Sequence, residues 1–236
     1  MYVTYLGHSG FLVETDTAFY IFDYVRGDLT PACLDNTEKP VFILVSHFHE
    51  DHFQPMIFDL HDRLNHPLYL LSRDTIRTQE RRRQHQAAYQ QCLVMCAQAN
   101  RTWQFDGITI ETLLSTDEGV AFLIKEPDGI IYHAGDLNWW HWEEADEKWN
   151  RQMAGSYKHE IDKLKGLSID LAFVPIDPRL GNSYGLGADY LLRKTAVTDL
   201  YPMHFWEQYD IIDRFIREQD SRKWQKNPRI HHPGRD

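Results

Sequence analysis

The chain has 236 residues, 42% of them hydrophobic and 13% aromatic, which is enough apolar material to bury a substantial core. Asp plus Glu number 35 against 25 Lys plus Arg, a formal net charge of −10. A field of that sign repels phosphate backbones and disfavours general nucleic-acid binding. The cysteines are Cys33, Cys92 and Cys96; their odd number and their spacing fit no common zinc pattern and read as free thiols in a reducing compartment. No basic-then-apolar leader opens the chain and no apolar run is long enough to span a bilayer, so the expectation is a cytoplasmic protein without membrane association.

In chain order, short alternating or apolar runs predict strands over 2–6, 10–15 and 18–23, broken by Gly7, Gly10 and Asp16. Pro40 precedes Val41-Phe42-Ile43-Leu44-Val45, a continuous apolar run that suits a strand buried on both faces. A further strand is expected over 68–71. Residues 73–99 contain no Gly or Pro and are rich in Gln, Arg and Ala, which predicts one long helix. Strands follow over 107–114 and 119–126, and Asp128-Gly129 signals a hairpin into 130–134. A helix over 142–164, a buried strand over 169–174, a helix over 188–196, a strand over 199–203 and a helix over 207–219 complete the pattern. Strands come early in each half and helices after them. With no linker, repeat or low-complexity stretch, one α/β domain over 1–236 with outer helices is the simplest architecture.

The loop after the run at 41–45 reads His47-Phe48-His49-Glu50-Asp51-His52. Neutral imidazole is the commonest ligand for zinc and similar metals. Residues two apart on an extended loop project to the same side, so His47 and His49 can share one ion. Asp51 and His52 then turn toward a neighbouring position. So many ligands on one tight loop do not serve a single tetrahedral ion, which points to two adjacent ions. A solvated loop that binds nothing is opposed by its position at the carboxyl end of a buried strand, where α/β sheets place their sites.

This segment matches the HxHxDH signature, and the chain resembles the metallo-β-lactamase fold superfamily. Tyr132-His133-Ala134-Gly135-Asp136 resembles the strand-end segment that carries a metal-bridging aspartate, and Pro202-Met203-His204-Phe205 resembles the late strand-end histidine. The opening Leu6-Gly7-His8-Ser9-Gly10-Phe11-Leu12 is similar to the start of the ascorbate-6-phosphate lactonase-like branch, which often has an aspartate where Asp23 stands. The resemblance implies a four-layer αββα sandwich with the site at the strand ends. It implies that His47 and His49 belong to a first metal site, that Asp51, His52 and His204 belong to a second, and that Asp136 bridges both. The cofactor would be one or two divalent ions per chain, zinc first, with manganese or iron also admitted by the donor types.

One ligand of the family pattern is missing. A further first-site histidine is expected just before Gly119-Val120-Ala121, where this chain reads Ser115-Thr116-Asp117-Glu118. Either Asp117 replaces the imidazole with a carboxylate, or water or substrate fills the gap, or another histidine swings in. His141 is the first such candidate, with His8 and His133 behind it. The implied chemistry is hydrolysis of a small ester, lactone or phosphorylated metabolite by a metal-activated water. In it Asp51 orients the water or accepts its proton, and His8 or His141 protonates the leaving group. A phosphodiesterase or nuclease of the same fold is the competing enzyme. A member that binds metal without turnover is the non-enzymatic alternative, and a homo-oligomer is left open.

Four features stand outside the motif. Asn138-Trp139-Trp140-His141-Trp142 reads equally as a substrate wall and as core packing. Arg73, Arg77 and Arg81 share a helix face that reads as solvated. Gly181, Gly185 and Gly187 read as a flexible loop at the site's edge. His231-His232 reads as part of a disordered or surface tail.

Overall fold

The computed structural model describes residues 1–77 and 92–235. Its first sheet has the order β1 (Tyr2–Gly7), β2 (Gly10–Glu14), β3 (Phe19–Phe22), β4 (Val41–Val45), β5 (Leu68–Ser72), β6 (Leu93–Ala97). Neighbours are antiparallel from β1 to β3 and parallel from β3 to β6. The second sheet runs β13 (Arg229–Ile230), β12 (Ala196–Met203), β11 (Ser168–Pro175), β10 (Gly129–His133), β9 (Val120–Glu126), β8 (Ile108–Leu114), β7 (Thr102–Phe105). It repeats the scheme: β7 to β10 form an antiparallel meander, and β10 to β13 are parallel.

The alternation of side chains on β4 explains how the layers stack. Phe42 and Leu44 join the cluster that also holds Phe11, Phe22, Phe122 and Phe173 from both sheets. Val41, Ile43 and Val45 point the other way, onto Ile57, Phe58 and Leu60 of the 3-10 turn Pro55–Leu60 and onto Cys33 of α1 (Pro31–Leu34). All five β4 residues are completely buried, as a continuous apolar run requires. The second sheet is covered by α3 (Glu147–Asp162), α4 (Leu186–Lys194) and α5 (Tyr209–Glu218), which bury Tyr157, Ile161, Leu191, Leu192, Ile212 and Phe215. The layers are those of the αββα sandwich. The three cysteines are free, and no described helix is long and apolar enough to cross a membrane.

The helix expected over 73–99 is corrected. Among the described residues of that range, Arg73–Arg77 (α2) are helical; residues 78–91, Arg81 among them, lie outside the described residues. Leu93–Ala97 is strand β6, in parallel register from Leu68↔Leu93 to Ser72↔Ala97. The sheet supplies hydrogen-bond partners that outweigh a weak local helical preference, and no Gly or Pro marks the boundary. The three glycines fall in different local structures: Gly181, at φ 56°, kinks the 3-10 segment Pro178–Ser183, Gly185 is the N-cap of α4, and Gly187 lies inside α4.

Phe42→Ala should lower the unfolding free energy by about 3–5 kcal/mol, since it opens a cavity between the sheets. Tyr2→Ala, at a residue 79% exposed, should change it by no more than about 0.5 kcal/mol. Urea unfolding of the two variants checks both.

Candidate metal centre

β1 and β3 run the same way as β4, and β8 the same way as β10, β11 and β12. The carboxyl ends of all seven strands therefore meet at one rim. Each end is followed by a polar side chain: His8, Asp23, the loop 46–52, Asp117, Asp136, Asp177 and His204. Three of these residues, His8, Asp23 and His204, have φ of 49°, 41° and 60°. A left-handed backbone at a non-glycine residue costs on the order of 1–3 kcal/mol and is retained where the surroundings over-determine it.

Two groups of four donor atoms form at this rim, each within 4.8 Å of one another: His47, His49, Asp117 and Asp136, and His8, Asp51, His52 and His204. Each group draws residues from both sheets. Asp136 reaches across them. Its Oδ2 is 3.7 Å from His47 Nε2 and 3.6 Å from His204 Nε2, and its Oδ1 is 3.2 Å from His52 Nε2. In the first group His47 Nε2 and His49 Nδ1 converge to 2.9 Å, and Asp117 Oδ2 is 3.9 Å from the latter. Asp117 thus joins the first group from the segment just before Gly119. In the second, His8 Nε2 is 3.1 Å from Asp51 Oδ2.

The donor atoms suit cations. Nε2 of His52 and Oδ1 of Asp136 are buried, face each other at 3.2 Å, and make no hydrogen bond with correct geometry among the described residues. Buried polar atoms left in this way are costly, and a cation beside them would give each a partner. Charge argues the same way. Burial alone would push the fully enclosed His52 imidazole down, but Asp136, Asp23 and Asp51 outweigh it and raise it to about 9. Burial pushes His47 well below its ordinary value, with the neighbouring His52 and His49 adding to the effect. His8 is pushed down by burial, against its hydrogen bond with Asp51. Burial would raise Asp51, yet the His8 hydrogen bond and the charge of His52 hold it far below the usual carboxylate range. Burial and the nearby Asp136 carboxylate raise Asp117.

Side chains behind the donors fix their rings. His47 Nδ1 lies 3.0 Å from Ser46 Oγ, His52 Nδ1 2.8 Å from Asp23 Oδ2, and His204 Nδ1 2.9 Å from Asp177 Oδ2. With Nδ1 donating, Nε2 presents its lone pair to the site; carboxylate-backed histidine of this kind is the usual support of a metal ligand. Ser46 is itself wedged between two glycines. Gly119 has φ of 70°, and a Cβ there would lie 1.9 Å from Ser46 O; Gly135 has φ of 51°, and its Cβ would lie 2.6 Å from Ser46 Cβ.

A cavity of about 350 Å³ opens over the centre, walled by Trp140, Trp142, Trp149, Met153, Arg179 and Trp206. The tryptophan run divides: Trp140 and Trp142 face the cavity, whereas Trp139 packs on Tyr157 and Tyr190. His141, between two cavity-facing rings, neither lines the cavity nor joins a donor group, so it is not the replacement ligand. His133 is also excluded, because it is buried against Phe22 with Nε2 2.9 Å from Ser9 O. His8 joins the second group rather than the first. Asp177 and Arg179 were missed in the sequence. The available signal was an aspartate two residues past the end of the buried strand β11, much as Asp136 lies three past the end of β10. His231 and His232 are not loose: they lie 2.8 Å from Asp199 and 2.9 Å from Asp213.

A family model described as the beta-lactamase superfamily domain matches residues 2–149. A UPF0173 metal-dependent hydrolase of Pyrobaculum islandicum is 26% identical over 145 residues, covering 58% of this chain and 61% of that protein. One of Methylacidiphilum infernorum is 28% identical over 147 residues, covering 58% and 62%. This chain thus spans about three-fifths of the length of those curated relatives. Among solved structures, Igni18, a metallo hydrolase from the archaeon Ignicoccus hospitalis, shares the fold with a TM-score of 0.63 at 19% identity, over 98% of this chain and 95% of that one.

In chelator-treated protein, the raised His52 contributes stability that is complete below about pH 6.5 and is lost as the pH rises through about 9. The depressed His8 and His47 act only below that window. The thermal midpoint of the chelated chain should therefore fall between those pH values, and it should fall less in His52→Gln. Asp23→Asn should weaken zinc retention about 10–100-fold, read by competition with a chromophoric chelator.

Proposed function

This chain belongs to the beta-lactamase superfamily, and we propose that it is a metal-dependent hydrolase acting on a small ester, lactone or phosphorylated metabolite, as in the lactonase-like branch. The observation that carries this reading is Asp136, whose two oxygens lie 3.2–3.7 Å from Nε2 of His47, His52 and His204. One carboxylate serving two donor groups is the arrangement that a two-ion hydrolytic centre needs. His47, His49, Asp117 and Asp136 would hold one ion, and Asp51, His52, His204 and Asp136 the other. Zinc suits the imidazoles, and the added carboxylate of Asp117 gives a harder set that also accommodates manganese or iron. Bound there, such cations supply a water of lowered pKa and stabilise negative charge developing on the substrate.

The side chains then divide the remaining work. Asp51 stays ionised, because its hydrogen bond with His8 and the charge of His52 outweigh its burial, so it can orient a water and take its proton. His8 Nε2, 3.1 Å from Asp51, is placed to receive that proton and return it to the leaving group. Trp140, Trp142, Trp149 and Trp206 line the cavity over the rim and offer apolar faces to the body of a substrate. A four-donor first group including Asp117 supports the hydrolase over the member without turnover.

Protein purified without chelator should hold two ions per chain, and Asp117→Ala should bring that count toward one, read by mass spectrometry of the metals. Asp51→Asn should lower kcat on whichever of p-nitrophenyl acetate, a butyrolactone or p-nitrophenyl phosphate the parent turns over by about 100-fold or more. Full activity in that variant would show that Asp51 neither orients the water nor takes its proton.

A further inference from the structure

Arg179 is the one arginine or lysine among the described residues that line the cavity. Its position is determined on three sides. Nε lies 3.0 Å from both Asp177 oxygens, and Nη2 donates to Asp177 Oδ2 at 2.6 Å. The guanidinium carbon lies 4.6 Å from the Trp206 ring centre and 5.9 Å from that of Trp142. Asp177 in turn carries His204 at 2.9 Å, so the guanidinium and a donor histidine are set by one carboxylate. The guanidinium's third nitrogen, Nη1, hydrogen-bonds no described residue. A rigid fork with a spare donor, flanked by aromatic faces and close to an electrophilic centre, is built to receive an oxyanion.

We propose that Arg179 is a specificity-determining residue that binds a carboxylate or phosphate group of the substrate through its spare edge. The substrate's flat or apolar body lies against Trp140, Trp142 and Trp206, and its scissile bond faces Asp51 and His8. The substrate class is thus a small organic anion. This rests on the hydrolase reading above for the identity of the scissile bond, though not for the binding of the anion. A cavity of about 350 Å³ lies near the small end of ligand pockets, roughly 300–1,000 Å³, as such a molecule requires. Arg179 also braces Asp177, and that structural role has to be separated from recognition.

The test titrates zinc-loaded protein with phenyl phosphate, benzoate and neutral benzyl alcohol, followed by calorimetry and by tryptophan fluorescence. Zinc content is measured in every variant. In Arg179→Gln, zinc content should stay at the parent value, the two anions should bind about tenfold more weakly, and benzyl alcohol should be unaffected. Arg179→Lys, which keeps the positive charge, should recover part of the anion binding. The ratio of the two anion losses tells a phosphate-preferring subsite from a carboxylate-preferring one. Unchanged anion binding in Arg179→Gln would overturn the proposal. So would an equal loss of charged and neutral probes, or a loss that merely tracks zinc in both variants, since these mark a brace on Asp177. Selective anion loss in a chain that hydrolyses no ester, lactone or phosphate would leave the anion subsite standing and remove the hydrolase reading instead.

Discussion

The Asp23 carboxylate is almost wholly enclosed, and the geometry of the rim depends on how its charge is accommodated. One oxygen accepts the Ser46 amide at 2.7 Å; the other accepts the Ser46 hydroxyl at 2.7 Å and faces His52 Nδ1 at 2.8 Å. A buried anion is tolerated only when its lone pairs are filled and its charge is opposed. Burial pushes Asp23 up, and the His52 hydrogen bond and charge more than reverse it. The same contacts anchor the start of the histidine loop and fix the ring of His52. Asp177 does the equivalent task at the other sheet. Burial would raise it too, but His204 and Arg179 hold it far down.

What a single sequence shows about such a centre depends on how locally each part is encoded. His47, His49, Asp51 and His52 are legible because a single tight loop carries them. Asp136 and His204 are legible through the resemblance of the segments at 132–136 and 202–205 to the family's strand-end pattern. Asp117 could be named only as one of three options, because whether it reaches His49 depends on the loop closing back through the Val120 amide onto Ser46 O at 2.9 Å. Asp177 and Arg179 escaped because their significance is a relation to His204 that crosses 27 residues of sequence. His141 was over-read for the complementary reason: proximity in sequence to Asp136 does not determine which of four consecutive side chains turns inward.

The fold was legible wherever periodicity and punctuation agreed. The β4 run and the β9–β10 hairpin at Asp128-Gly129 follow from composition and turn chemistry. Strand β6 did not, because Leu93-Val94-Met95-Cys96-Ala97 has no alternation and no breaker before it. Its extended form comes from pairing with β5, which is a property of the assembled sheet. The terminal histidines follow the same rule: His231 stacks on Tyr201 at 4.1 Å, a contact that exists only once β13 has added to the sheet's edge.

Each donor group takes residues from both sheets, and this has a mechanical consequence. The first joins His47 and His49 to Asp117 and Asp136; the second joins His8, Asp51 and His52 to His204. Apolar packing holds the two sheets together along their length, but at the rim the facing residues are polar, and carboxylates and imidazoles give little cohesion of their own. Cations shared across that seam would act as rivets at a polar edge of the sandwich. Loading and closure of the rim would then be one event, and the bound ions would also be the fastening that keeps the two halves in register.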